Sequence, residues 1–182
     1  MLKDKKRICV FCGSSLGNNK LIQKEVIKLA KIISDNNLEL VYGGAKIGLM
    51  GLIAKEVQRQ GGKVIGIIPK FLDKKEIINK NLTQLHLVDS MHERKQKMYD
   101  ISDFFIALPG GIGTLEEIFE IITWKQLKLK KAPIGILNIS KYYEKIIEHI
   151  HLMVKNDFLH KNFIDEIIVS NSSKDLINRI IN

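Results

Sequence analysis

The chain lacks the two commonest phosphate fingerprints. Neither G-x-G-x-x-G nor G-x-x-x-x-G-K-[ST] occurs in it, which weighs against an NAD enzyme and against a P-loop NTPase. G-x-S-x-G is absent too, so a serine hydrolase is not expected. Cysteine is scarce: Cys9 and Cys12 are the only two. Their C-x-x-C spacing invites a redox or zinc reading. The pair falls in a strand and its end, however, where an odd separation sends side chains to opposite faces. No second pair supplies further zinc ligands. Both are read as buried, reduced thiols. No His/Cys/Asp/Glu set has the spacing of a metal site. No apolar run reaches the length of a membrane span. The start, MLKDKKRICVFCGSS, is basic but lacks the apolar core of a signal peptide, so a cytoplasmic protein is expected.

What the chain has is an ordinary globular composition, 45% hydrophobic and 27% charged over 182 residues. Residues 1–182 are read as one domain with one core. Lys and Arg number 29 against 20 acids, a formal charge of +9. That surplus suggests a nucleic-acid partner. The lysines are scattered, though, and Lys125, Lys128, Lys130 and Lys131 suit the negative end of the helix they follow. Few aromatics are interleaved with them, as a single-strand platform requires. The charge is read as a solvated surface, and nucleic-acid binding is not expected.

Strand and helix signals alternate along the whole chain. Apolar runs at 7–11, 39–42, 63–68, 84–88, 104–108, 134–137 and 167–169 read as strands. Helical patterns at 18–36, 91–102, 142–155 and 173–181, and after each glycine-rich turn, lie between them. In the first helix Asn18 is the expected cap, with Leu21, Val26, Leu29, Ile32 and Ile33 inward. Segment 70–82 is poorly patterned and reads as a mobile loop or lid. The pattern predicts an α/β fold: a Rossmann-like, open, mostly parallel sheet with helices on both faces. Ligands bind such sheets beyond the carboxyl ends of the strands. The glycine turns at Gly13, Gly43 and Gly110 all fall at that edge.

The stretch DFFIALPGGIGTLEEIFEIITWKQL, 103–127, organises the rest. A strand runs into Pro109, Gly110, Gly111 and Gly113, and a helix follows at once. Unpaired N–H groups and the positive dipole end converge there, which makes an anion site. Glycine lets a phosphate approach the backbone without a Cβ in the way. Thr114 and Glu117 fit an S/T-x-x-E capping box.

Two clusters carry candidate chemistry. Arg94 and Lys95 lie early in a helix capped by Ser90 with Glu93, where cations oppose the dipole by about 0.3–1 kcal/mol each. Either Glu93 offsets them and they face water, or positive charge is needed there. Glu116, Glu117 and Glu120 stand at the other helix start. Glu117 is either the capping partner alone or a carboxylate facing a sugar C1, stabilising positive charge that develops there. His92 is a secondary candidate, and Tyr99 and Trp124 are read as packing residues.

Pro109-Gly110-Gly111-Ile112-Gly113-Thr114-Leu115-Glu116-Glu117 resembles the PGGxGTxxE signature of the Lonely Guy family. Met91-His92-Glu93-Arg94-Lys95, CVFCGSS and YGGAKIGLMG match it as well, so the resemblance covers nearly the whole chain. It implies a Rossmann-like phosphoribohydrolase that cleaves AMP or N6-substituted AMP to free base and ribose 5-phosphate. The implied catalytic pair is Arg94 and Glu117. The implied substrate contacts are Lys95, Gly110, Gly111, Ile112, Gly113, Thr114, Leu115 and Glu116, with Glu76 as a further contact in the variable loop. The resemblance also implies a homodimer and no metal or organic cofactor. Members have carried a lysine decarboxylase label, for which the chain shows no pyridoxal-phosphate chemistry. Ala45 departs from the family's run of three glycines, which bears on base specificity more than on the reaction. The rival reading is a non-catalytic nucleotide or nucleic-acid binding module on a similar fold.

Overall fold

The computed structural model describes residues 5–75 and 77–182, apart from the side chains of 73–75. Its strands are β1 Arg7–Phe11, β2 Glu39–Tyr42, β3 Val64–Pro69, β4 Gln84–Val88, β5 Phe104–Ala107, β6 Ile134–Leu137 and β7 Ile167–Ser170. Its helices are α1 Lys20–Asp35, α2 Gly48–Arg59, α3 Met91–Ile101, α4 Ile112–Gln126, α5 Glu144–Lys155, α6 Lys161–Ile164 and α7 Ser173–Ile181. The seven strands pair in one sheet in the order β4-β3-β2-β1-β5-β6-β7, and every pairing is parallel. The connections run one way from β1 and the other way from β5. The crevice between them, at the carboxyl ends of those two central strands, is the topological switch point.

A parallel sheet covered on both faces needs apolar residues on both, and β1 shows how the sequence supplies them. Ile8, Val10 and Cys12 face the layer of α1, α2 and α7, where Val26, Leu29, Ile33, Ile53 and Leu176 are buried. Cys9 and Phe11 face the opposite layer, with Phe105, Met98, Ile118, Ile121 and Tyr143. The two cysteines are therefore free, buried and on opposite sides of the sheet, as the spacing predicts. Burial pushes both thiols well above their ordinary range. Each fully buried Ile or Leu contributes about 1.5–3 kcal/mol of transfer free energy.

Three local expectations need correction. The cap of α1 is Asn19 rather than Asn18: its side chain accepts the Leu21 N–H at 2.9 Å. Leu21 also faces outward and Ile22 inward, and Ile32 is half-buried. Helix α5 begins at Glu144, not at 142, after a 3-10 turn at Ile139–Lys141. The loop expected at 70–82 contains a short helical element. A 3-10 helix occupies Lys70–Lys75, and the chain then clips onto the glycine turn after β2. Ala45 bridges Ile78, the Lys46 N–H donates to the Ile77 carbonyl at 2.8 Å, and the Asn79 N–H donates to the Gly44 carbonyl at 2.9 Å. Glu76 lies outside the described residues.

Candidate active site

Helix α3 starts on a capping box. The Ser90 hydroxyl accepts the Glu93 N–H at 3.1 Å, and the Glu93 carboxylate accepts the Asp89 N–H at 2.8 Å. One residue further on, Arg94 points inward and is only 8% exposed. Its Nε donates to the carbonyl of Ile67 at 3.2 Å, and its Nη1 lies 2.8 Å from Glu117 Oε1. Room for the guanidinium is made by Gly43. A Cβ there would sit 2.3 Å from Arg94 Nη2 and 2.8 Å from Met50 Sδ. The positive charge is thus spent on a buried partner, not on water.

Helix α4 begins earlier than the capping-box reading requires. Its first residue is Ile112, its N-cap is Gly111 in extended backbone, and no side chain caps it. Thr114 is then the third helical residue rather than the cap, so the Thr114–Glu117 box does not form. The physical reason is the glycine turn itself, which delivers the chain into the helix three residues sooner. Glu117 is freed from capping and lies on the second turn, 7% exposed and paired with Arg94. Burial pushes its carboxyl above the ordinary range, and the Arg94 guanidinium pulls it partly back. Replacing either partner alone would leave a buried charge uncompensated.

A second bridge ties the same two helices. The Lys95 ammonium pairs with Glu116 and, at 3.1 Å, with Glu120. Burial disfavours its charge, but the hydrogen bonds to the two carboxylates outweigh that, and its pKa is raised.

The Arg94–Glu117 pair forms part of the wall of a cavity of about 290 Å³ at the switch point. Gly111, Ile112, Gly113, Thr114 and Glu116 border it from α4, Cys12 and Ser14 from the turn after β1, and Met50 and Met91 from α2 and α3. Neither Gly111 nor Gly113 would bring a Cβ within 4 Å of another atom, so both present open backbone. Gly110 instead borders a neighbouring hollow of about 350 Å³, with residues 15–19, Ser140 and Tyr142. A Cβ on Gly110 would meet Thr114 Oγ1 at 2.1 Å and Gly13 N at 2.8 Å.

Of the residues singled out in the sequence, Arg94, Gly111, Ile112, Gly113, Thr114, Glu116 and Glu117 meet around one cavity. Lys95 and Leu115 do not line it: Lys95 is held by its two glutamates, and Leu115 packs half-buried on the core. His92 is exposed on α3. Tyr99 and Trp124 pack edge to face, with ring centroids 4.4 Å apart. The sequence reading missed Cys12, Ser14, Met50 and Met91 as wall residues. The signal for the first two was the glycine turn after β1, already placed at the carboxyl edge. Among the described residues no group of three or more His, Cys, Asp or Glu could hold a metal ion.

The arrangement joins an anion-favouring helix start to a buried, ion-paired carboxylate. Side chains on a helix tilt toward its N-terminus, so the Glu117 carboxylate hangs back toward the turn that offers the open N–H groups.

Fold and site together define a Rossmann-like protein with a cavity and a buried Arg–Glu pair at its switch point. Comparison with known proteins makes this more specific. The family model described as "Possible lysine decarboxylase" matches residues 50–180. Cytokinin riboside 5′-monophosphate phosphoribohydrolase LOG1 of Arabidopsis thaliana is 44% identical over 175 residues, covering 96% of this chain and 82% of that protein. Probable cytokinin riboside 5′-monophosphate phosphoribohydrolase LOGL2 of Oryza sativa subsp. japonica is 42% identical, covering 96% of this chain and 72% of that protein. The chain belongs to this family, the Lonely Guy phosphoribohydrolases. Among solved structures, the molybdenum cofactor binding protein of Rippkaea orientalis superposes with a TM-score of 0.73 at 19% identity, each chain covered completely. The molybdenum cofactor carrier protein of Chlamydomonas reinhardtii gives 0.71 at 16% identity, with 97% of this chain and 96% of that one covered. At that identity the likeness concerns the fold alone.

Proposed function

We infer that this chain hydrolyses the N-glycosidic bond of purine nucleoside 5′-monophosphates, AMP or N6-substituted AMP, to free base and ribose 5-phosphate. The observation that carries this reading is the Arg94–Glu117 pair, buried in the wall of the cavity beside the α4 N-terminus. The 5′-phosphate faces the open backbone of 111–113, where helix dipole and N–H groups favour an anion. The C1′–N bond breaks with its electron pair going to the base. Glu117 faces the positive charge that develops at the sugar. It also orients and deprotonates the water whose oxygen bonds to C1′, and the departing base takes up a proton. Arg94 holds the carboxylate in place and keeps its ionised form accessible. Lys95, through Glu116 and Glu120, fixes α3 against α4. No metal or organic cofactor enters these steps. A pyridoxal-dependent decarboxylase needs a lysine for its Schiff base, and no lysine is among the cavity's described lining residues.

The same reading includes a cytoplasmic homodimer. Ile112, 81% exposed at the cavity edge, and the exposed Met91 beside it form an apolar rim that a second copy would cover. Light scattering that finds only monomer at micromolar concentration would refute the dimer. Two cations at and after the end of α4 support a structural role over nucleic-acid binding. Lys125 pairs with Glu166, and Lys130 donates to the Tyr99 carbonyl and lies over the Tyr99 ring.

The deciding experiment incubates the protein with AMP, N6-substituted AMP and adenosine, and follows released base by chromatography. Base should appear from the monophosphates and hardly at all from adenosine. Binding of the nucleotides without base release would favour the rival, a non-catalytic binding module.

A further inference from the structure

The carbonyl groups of residues 108–111 are all taken. The Leu108 carbonyl accepts the Tyr143 hydroxyl at 2.6 Å. The Pro109 carbonyl accepts the Gly13 N–H at 3.2 Å. The Gly110 carbonyl accepts the Tyr142 hydroxyl at 2.6 Å. The Gly111 carbonyl accepts the Thr114 and Leu115 N–H groups at 3.1 and 3.2 Å. In a trans peptide unit the carbonyl and the following N–H point in opposite directions. Fixing the Gly110 carbonyl therefore fixes the direction of the Gly111 N–H. Two consecutive tyrosines, some thirty positions downstream, supply two of these anchors.

The chain goes to some length to deliver them. Ser140 and Lys141, immediately upstream, both have left-handed backbone, with φ of 53° and 59°. Neither is glycine, and such conformations persist only where the surroundings over-determine them. Here they do. The Asn138 side chain accepts the Tyr143 N–H at 2.7 Å and donates to Glu144 at 3.0 Å. The Asn19 side chain donates to the Ser140 hydroxyl at 3.2 Å. Burial pushes the Tyr143 hydroxyl well above its ordinary range, which keeps it a proton donor.

We propose that Tyr142 and Tyr143 are positioning residues for phosphate recognition. The Tyr142 hydroxyl holds the Gly110 carbonyl, so that the Gly111 N–H faces the 5′-phosphate, and the Tyr143 hydroxyl anchors the Leu108 carbonyl where the turn begins. Without the Tyr142 anchor the 110–111 peptide unit is free to rotate and to present its carbonyl dipole to the anion. This rests on the phosphate reading given above. Tyr143 is buried and also packs in the core, whereas Tyr142 is half-exposed and borders the second hollow. Tyr142 is therefore the cleaner test.

The test is Tyr142→Phe, with Tyr143→Phe as the second variant. Ribose 5-phosphate binding is read by calorimetry, and kcat and KM are measured for AMP and adenosine. Tyr142→Phe should weaken ribose 5-phosphate at least about tenfold and raise KM for AMP by a similar factor, with the loss in KM rather than kcat. Its ratio of AMP to adenosine kcat/KM should fall, and its melting temperature should hold. Tyr143→Phe should lower the same ratio and lower the melting temperature as well. A folded Tyr142→Phe with the full ratio, or one that loses AMP and adenosine turnover equally, would overturn the proposal. Equal turnover of AMP and adenosine by the natural protein would instead overturn the phosphate reading, and the proposal with it.

Discussion

Arg94 and Glu117 meet at 2.8 Å, each more than nine-tenths buried, from helices that follow strands β4 and β5, which three other strands separate in the sheet. A buried ion pair is no dependable source of stability, because desolvation offsets its attraction. Its presence beside a cavity calls for a chemical reason, and that reason can be tested from both partners.

Glu117→Gln should retain the fold and lose the reaction. Glutamine keeps an acceptor for Arg94 but not the charge, so the buried guanidinium loses its counter-ion, at a stability cost of up to about 3–5 kcal/mol. No helix cap is lost, because Gly111 holds that position. Turnover of AMP should fall at least about a hundredfold, while nucleotide binding persists. Near-normal turnover would show that the carboxylate serves only to neutralise Arg94.

Arg94→Leu leaves Glu117 buried without its cation. Loss of one partner of a buried pair costs about 3–5 kcal/mol, so the denaturant midpoint should drop clearly. The Glu117 carboxyl should also move further up, carrying the acid limb of the rate profile to higher pH. Arg94→Lys should rescue only part of this, since one ammonium cannot serve both the Ile67 carbonyl and Glu117 as the planar guanidinium does. An acid limb unmoved in Arg94→Leu would separate Arg94 from the titration of Glu117.

In the natural protein the acid limb should already lie above the ordinary glutamate value of about 4.3, because burial raises Glu117. The active form is the carboxylate, so activity is lost as pH falls through that raised value. The stability effect has the opposite sense. A group whose pKa is raised by folding binds its proton more tightly in the native state. Its contribution is fully present below the unfolded value and is lost as pH rises through the folded one. Activity profiles and denaturant melts over the same mildly acidic range should therefore slope in opposite directions for this group. Glu117→Gln should remove both slopes.

Two glycines should respond in contrasting ways to alanine. At Gly43 the new Cβ would lie 2.3 Å from Arg94 Nη2, so the guanidinium must shift and kcat should fall at least about tenfold. At Gly111 nothing lies within 4 Å of the new Cβ, and the residue's φ of −87° suits any side chain. Gly111→Ala should melt like the natural protein but raise KM for AMP at least about tenfold, by standing where the phosphate approaches. Unchanged KM in Gly111→Ala would move the phosphate elsewhere.

The sequence by itself determined the alternation of strand and helix, the glycine turns at the carboxyl edge, the Ser90 cap and the opposite facing of Cys9 and Cys12. These are local properties, set by periods of two and 3.6 residues and by the backbone freedom of glycine. It also marked Arg94 as a cation that opposes its helix dipole, without saying what compensates it. Tertiary structure alone decided the rest. Whether Glu117 caps a helix or meets Arg94 turned on where α4 begins, and the glycine turn sets that through its packing against Gly13. The meeting itself depends on β1 and β5 being neighbours, which brings the start of α4 beside α3 over the same crevice. Tyr142 and Tyr143 gave no local signal, because a hydroxyl's acceptor 32 or 35 positions away is chosen only when β5 and β6 pair and carry both turns to one edge.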